Sequence, residues 1–389
     1  MRLPVESFKG LNNVSDPLTL GLAWQSQADD VDVTQDGRIA RRQGFEQTIA
    51  QTSNTGAYAT KDEQRAYIVD SGSLKQINPD LTLTTLATGL NSARMYFDEI
   101  NGAVFCTNGI DYKVISPTGA VKRWGVPAAA TPALSLATGV LTAGFYRVCA
   151  TLVDPDGVEG ENSDVAMLDV VDGQQIQITV TAATGYTTNV YVTAANGTVF
   201  YLLQENATGT VSYSCLPDQL GREIRYWFTN VPRGTMPCFF KGQCYLAEYF
   251  PDQDSTALWS SMPLQFHHWD AGSLGMTSPG RVLMLKVPPD NAALIIGTDR
   301  GIHAWDGSVL TLLAPYGVVP GHHDAMKAGK LYFWTLRGLA RAMPFENLTE
   351  RTVSVAPGIF SGATVHELNG NVRYIVALQA GGTAYNART

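Results

Sequence analysis

The sequence predicts an all-β protein: a β-propeller, or propeller-like stacked sheets, with an inserted immunoglobulin- or fibronectin-like β-sandwich. Three observations predict it. Period-two alternation is common and amphipathic helical periodicity is rare. In 174–180, QQIQITV, Ile176, Ile178 and Val180 share one face, as a half-buried strand requires. The strand-like runs are short and broken by turn formers drawn from 37 Gly and 19 Pro, so the connections are tight. One phrase, an apolar strand meeting a Gly- or Asp-containing turn and then a second strand, recurs along the chain.

The phrase reads YIVDSGSLKQI from Tyr67, VFCTNGIDYKVI from Val104 and YLAEYFPDQDSTALW from Tyr245. It returns as LIIGTDRGIHAW from Leu294, LYFWTLRGLARAM from Leu331 and YIVALQAGGTAYN from Tyr374. The start-to-start intervals are 37, 141, 49, 37 and 43 residues. All but one lie near the length of a four-stranded propeller blade, roughly 40–50 residues. The exception exceeds a blade by about 100 residues, the size of one immunoglobulin-like domain. The domains are therefore placed at 1–127 (an N-terminal hairpin and the first blades), 128–218 (the insertion) and 219–389 (the remaining blades).

In chain order, residues 28–33, ADDVDV, run into Gln35-Asp36-Gly37 and return along RIARRQGF to Phe45. The Asp-Gly pair predicts a tight hairpin. This hairpin is expected to close the ring by pairing with C-terminal strands, which removes exposed sheet edges. Residues 126–133, VPAAATPA, form a Pro/Ala linker. Beyond it, Tyr146, Val148 and Ala150 are expected to face a core. Asp154-Pro155-Asp156-Gly157 reverses that strand, and Asn196-Gly197 predicts a type I′ turn.

Composition bounds the function. The 389 residues carry a formal net charge of −8. A duplex-DNA binder carries a basic face, because phosphate contacts supply most of its affinity. Here no Lys/Arg run exceeds the pair Arg41-Arg42 and no basic cluster is visible, which argues against sequence-specific binding. Cys106, Cys149, Cys215, Cys238 and Cys244 are odd in number and form no CxxC pair, so they read as free thiols. The opening MRLPVESFKG has no apolar segment of a signal peptide, and no apolar run approaches the ~20 residues that span a bilayer. Membrane insertion is not expected.

Candidate chemistry is sparse. His267-His268-Trp269-Asp270 and His322-His323-Asp324 are the histidine clusters; His303 and His366 are isolated. Adjacent histidines on a strand point to opposite faces, and a metal needs three or four converging ligands. Asp154 and Asp156 suggest a calcium loop, but Gly157 follows Asp156 directly and the EF-hand spacing is absent. No nucleophile elbow, phosphate loop or dinucleotide fingerprint occurs. Trp24, Trp124, Trp227, Trp259, Trp269, Trp305 and Trp334 read as blade-core aromatics before sugar platforms. No catalytic, cofactor-binding or metal-binding residue is expected, no cofactor is implied, and the chain is read as a non-enzyme.

One resemblance gives these observations a context. FKGLNNVSDP (8–17) and ADDVDVTQDGRIARRQGF (28–45) resemble the opening of many tailed-bacteriophage virion proteins, whose first strand carries A-x-N-V-D-x-x-x-x-G-x-I-x-x-R-x-G. Asp30 stands where Asn is frequent; Val31, Asp32, Gly37, Ile39, Arg42 and Gly44 carry the rest. Tyr146-x-Val148 and Val153-Asp154-x-x-Gly157-x-Glu159 are similar to the fibronectin/Ig-like modules of those proteins. Gly317-Val318-Val319-Pro320-Gly321 follows the layout of tail-nozzle and tail-stabilisation, or head-to-tail, proteins.

The resemblance implies a structural component of a phage tail or neck, located in the virion and made in the host bacterial cytoplasm. It implies a homo-oligomeric ring, a hexamer by family likeness, through which DNA exits as non-specific passing cargo. Other tail, adaptor or fibre proteins are the implied partners. Two other readings stay open: a tail-tip receptor- or glycan-binding module, on the aromatic content and the insertion, and a polysaccharide-degrading propeller enzyme, on the fold alone.

Overall fold

The computed structural model describes residues 7–385 apart from 30, 35, 43, 45, 225–228, 328, 369, 370, 381 and 382. Asp30, Gln35, Phe45 and Trp227 from the readings above lie outside the described residues.

Blade one is an antiparallel meander of Asn54–Ala59, Ala66–Asp70, Ser73–Ile77 and Leu83–Ala87. Blade two repeats the pattern with Tyr96–Ile100, Ala103–Thr107, Tyr112–Ile115 and Val121–Arg123. Blade three comprises Thr235–Phe240, Gln243–Phe250, Ser255–Met262 and Gln265–Pro279. Blade four comprises Val282–Lys286, Leu294–Thr298, Ile302–Trp305 and Leu310–Ala314. Blade five comprises Ala325–Lys327, Lys330–Thr335, Gly338–Ala342 and Glu346–Asn347. Blade six is Phe360–Leu368, Asn371–Ala380 and Thr383–Tyr385, with Gly321–His322 added in parallel along its first strand. The fold is all-β and propeller-like.

Neighbouring blades stack face to face, so the second strands of blades one to five are largely covered on both sides. Such strands read as continuous apolar runs. Leu294–Thr298 is buried at every position, and Tyr67, Ile68 and Val69 are equally sequestered. Each junction has its own core. Val69 and Leu74 meet Phe97 and Val104 between blades one and two. Phe105 and Trp124 meet Cys244, Leu246 and Trp269 between two and three. Leu258 meets Ile296 between three and four, and Ile295 meets Phe333 between four and five. Trp334 meets Val376 and Leu378 between five and six.

The closing junction is tied by charge and side-chain hydrogen bonds. Lys327 of blade five reaches Glu63 of blade one at 3.6 Å and Glu367 of blade six at 3.4 Å. Arg94, just before blade two, lies 3.9 Å over the Phe360 ring of blade six. The N-terminal segment then crosses to the C-terminal half. Asn13 exchanges hydrogen bonds with the Ser354 backbone, accepting from its N–H at 2.7 Å and donating to its carbonyl at 2.9 Å. The expected hairpin forms from Val31–Val33 and Ile39–Arg41, with Gly37 at φ +76° in its turn. Its expected pairing with C-terminal strands is corrected: among the described residues its strands pair only with each other. Both flanks of the Phe360–Leu368 and Asn371–Ala380 pair are already taken, by Gly321–His322 and Thr383–Tyr385. The tie is instead a side-chain clamp, in which Asp32 holds Arg42 and Arg373, each at 2.9 Å.

This clamp gives a direct prediction. Asp32→Ala removes the acceptor of both guanidinium groups. The expected loss is about 2 kcal/mol, the range for charge-assisted hydrogen bonds at a half-buried site. Arg373→Ala, which leaves the Asp32–Arg42 pair intact, is expected to cost about half as much. Urea midpoints of the two variants check this; equal midpoints for Asp32→Ala and the parent would overturn it.

Residues 133–213 hold two further sheets. Ala133–Leu141, Gln174–Thr179 and Thr210–Tyr213 form one. Glu159–Asn162, Gly144–Val153, Thr187–Val192 and Tyr201–Gln204 form the other, with Ala166–Val170 also pairing Gly144–Val153. Tyr146, Val148, Ile176, Ile178, Val190 and Tyr213 pack between them. Leu136 pairs Ile176, which pairs Tyr213, so the first and last strands lie two strand spacings apart, about 10 Å. Ala150, paired with Val190 on the same face, is buried further along the strand, against Val126 and Ala129 of the linker. The type I′ turn at Asn196-Gly197 is corrected. Asn196 alone takes a positive φ, +58°, because its side chain accepts from Phe145 N at 3.1 Å and the loop between the strands is longer.

Candidate functional site

Because every blade begins on the same side of the ring, the residues just before successive first strands are neighbours in space. Arg94, Arg233 and Arg281 occupy such positions before Tyr96–Ile100, Thr235–Phe240 and Val282–Lys286. Together they line a cleft of about 550 Å³, with Tyr96, Glu248 and Tyr249 in its wall. Arg94 is fixed by stacking on Phe360, and Arg281 lies 5.7 Å over the Tyr249 ring. The Trp259 indole donates to Glu248 Oε2 at 2.8 Å, which orients that carboxylate. Among the described residues no carboxylate forms an ion pair with any of the three arginines.

The cleft floor is strained. Met236 holds φ +58° at a register shift between blade three's first two strands. A non-glycine residue there costs of order 1 kcal/mol, and such sites persist where packing over-determines them. The arrangement can bind an anion: three cationic forks face a concave, partly apolar space.

The absence of a basic cluster, read from the sequence, is thus corrected. The three arginines sit on three blades and meet only in the fold. The available signal is the repeated placement of Arg directly before an apolar first strand, as in Arg94-Met95-Tyr96-Phe97, Arg233-Gly234-Thr235-Met236 and Arg281-Val282-Leu283-Met284.

The residues weighed as chemical candidates lie elsewhere. His267 packs 5.8 Å from the Phe105 ring, while His268 contacts Gln265 Oε1 and the Glu159 carbonyl. His322 faces the Tyr96 ring at 5.2 Å, while His323 is buried and accepts from Trp334 N at 3.0 Å through Nδ1. No group of three His, Cys, Asp or Glu side chains able to hold a metal forms among the described residues. Asp154 and Asp156 converge on the Lys122 ammonium. Trp124, Trp269 and Trp334 are buried; Trp259 and Trp305 pack against cores. The five cysteines are free, and burial pushes the Cys106 and Cys149 thiols up to about 12.

Glu159, named in the resemblance, ties neighbouring strands of one sheet, Gly144–Val153 and Thr187–Val192, to Arg222 beyond them. Burial alone would raise its pKa. Donation from Thr151, from Tyr191 at 2.7 Å, from Arg222 at 3.0 Å and from Asn189 at 3.2 Å holds it below the ordinary value.

No protein-family profile matches the chain, and no curated protein does. Among solved structures it is similar to a streptogramin B lyase, at 11% identity and TM-score 0.36, covering 85% of this chain and 92% of that one. It is also similar to AztD from Citrobacter koseri, at 15% identity and TM-score 0.29, covering 75% and 85%. Hsv2 from Kluyvelomyces marxianus matches at 10% identity and TM-score 0.31, covering 84% and 89%. The blade architecture described above rests on the strand order of this chain.

Proposed function

We propose that the protein is a non-enzymatic structural component of a bacteriophage tail or neck, assembled as a ring through which DNA exits. The observation that carries this reading is an exposed apolar surface on the insertion. Phe145, Met167 and Val171 are more than half exposed, at 55%, 62% and 60%. Phe145 pairs Asp169 and Met167 pairs Arg147, so Phe145 and Met167 are diagonal neighbours on the outer face of one sheet. Large apolar side chains grouped outside a core mark interaction surfaces, and identical chains in a ring bury such a face against one another.

The N-terminal signature supports the kind of assembly. Its Asp32 and Arg42 are partners in the clamp, and its Gly37 sits where an added Cβ would lie 2.4 Å from Ser7 Cβ. Asp98, Lys286, His323 and Asp324 crowd together near the middle of the six blades. In this reading DNA passes through a ring of copies and not through the centre of one chain.

The test is particle composition. Mass spectrometry of purified virions is expected to find the protein in small, stoichiometric copy number. Disrupting its gene is expected to give particles that lack a finished tail or leak DNA. Fully infectious particles without the protein would overturn the reading.

A further inference from the structure

We infer that the arginine-lined cleft binds a carboxylated sugar, its carboxylate held by Arg233 and Arg281 and a ring hydroxyl donating to Glu248. The inference stands on the cleft alone and does not depend on the virion reading.

Charge comes first. In a chain of formal net charge −8, Arg94, Arg233 and Arg281 line one concavity with Glu248 as the acidic side chain in its wall. Attraction for an anion is stronger in a cleft than in open water, because the effective dielectric is lower. Two exposed guanidinium forks can grip a planar carboxylate in a bidentate manner.

The other lining groups narrow the class. Glu248 is an acceptor, already oriented by Trp259. A dense polyanion such as a nucleic acid would meet that carboxylate with like charge. A ligand that pairs one anion with hydroxyl donors satisfies both the arginines and Glu248. Tyr96, Met236 and Val282 add apolar wall suited to the C–H face of a pyranose. A volume of about 550 Å³ falls in the range of small-ligand sites and does not admit a duplex. Arg94 and Arg281 are held over aromatic rings before any ligand arrives, which lowers the ordering cost of binding.

The experiment is calorimetric titration of the full chain with trigalacturonate at about 50 mM salt, where surface charge is only partly screened. Saturable binding is expected, with neutral maltotriose at least about tenfold weaker. Arg233→Ala and Arg281→Ala are each expected to weaken binding about tenfold or more, at unchanged melting temperature because both side chains are exposed. Arg233→Lys is expected to fall between parent and Arg233→Ala, since charge is kept and the fork is lost. Three results would overturn the inference: no trigalacturonate binding at millimolar ligand, equal binding of maltotriose, or full retention of binding in both alanine variants. Displacement of trigalacturonate by an equal concentration of hexaglutamate peptide would also overturn it, by showing an acidic-peptide site.

Discussion

Replacing Gly321 with alanine is expected to destabilise the protein by about 4 kcal/mol, from overpacking plus the left-handed backbone it would impose on alanine. Gly321 holds φ +143°, and an added Cβ would lie 1.7 Å from the Ser361 carbonyl oxygen. That oxygen belongs to the first strand of blade six, which Gly321–His322 joins in parallel. The methyl group would force the two strands apart at the point where the segment leading from blade four into blade five pairs with blade six. A melting temperature lower by roughly 8 °C or more is expected, by the usual scaling for large domains. Gly362→Ala is the control: it changes the adjacent residue, where nothing lies within 4 Å of the added carbon. Equal melting temperatures for the two variants would sink the argument.

The same glycine shows how far the fold was legible. Gly317-Val318-Val319-Pro320-Gly321 stood out in the sequence as a phrase without a mechanism. Its physical reason is close backbone approach at both ends: a Cβ on Gly317 would lie 2.4 Å from the Asp299 carbonyl. The recurring phrase was more informative. Its six starts fall on or within Ala66–Asp70, Ala103–Thr107, Gln243–Phe250, Leu294–Thr298, Lys330–Thr335 and Asn371–Ala380, the second strand of each blade. In blades one to five that strand is largely buried on both faces and turns tightly into the third, so it leaves a strong local mark. The first strands of blades one, three and four carry register shifts that break the alternation, so they leave less. The cleft arginines precede first strands on separate blades, so no window along the chain brings them together.

Acid is expected to weaken the fold steeply between pH 6.5 and pH 4, and His323 is the reason that geometry supplies. The chain from Val318 to Lys327 runs beside Lys330–Thr335, bridging at Val318–Thr335 and again at Ala325–Tyr332. Between those points it bulges toward blade six, and Trp334 N finds its acceptor in the His323 ring at 3.0 Å. The imidazole thus replaces a missing backbone carbonyl. It can do so only with Nδ1 unprotonated.

Burial, with a smaller push from Arg94, lowers the His323 pKa to about 4, while Asp324 opposes the shift. Burial likewise lowers His267 and His322. Asp324 itself stays ionised: burial disfavours its charge, but Lys286 at 3.2 Å keeps its pKa below the ordinary value. In the unfolded chain a histidine titrates near 6.5. Below that pH the unfolded state takes up protons that the folded state refuses until about pH 4, so stability falls through this window as pH drops. His323 alone is expected to contribute a loss of about 3 kcal/mol between pH 7 and pH 4, with His267 and His322 adding in the same direction. Urea unfolding across that range measures the slope. His323→Asn keeps an acceptor oxygen near the Nδ1 position but cannot titrate. It is expected to lower stability at pH 7 modestly, through the smaller side chain, and to flatten the dependence by one proton. An unchanged slope in that variant would show that the buried ring does not govern acid unfolding.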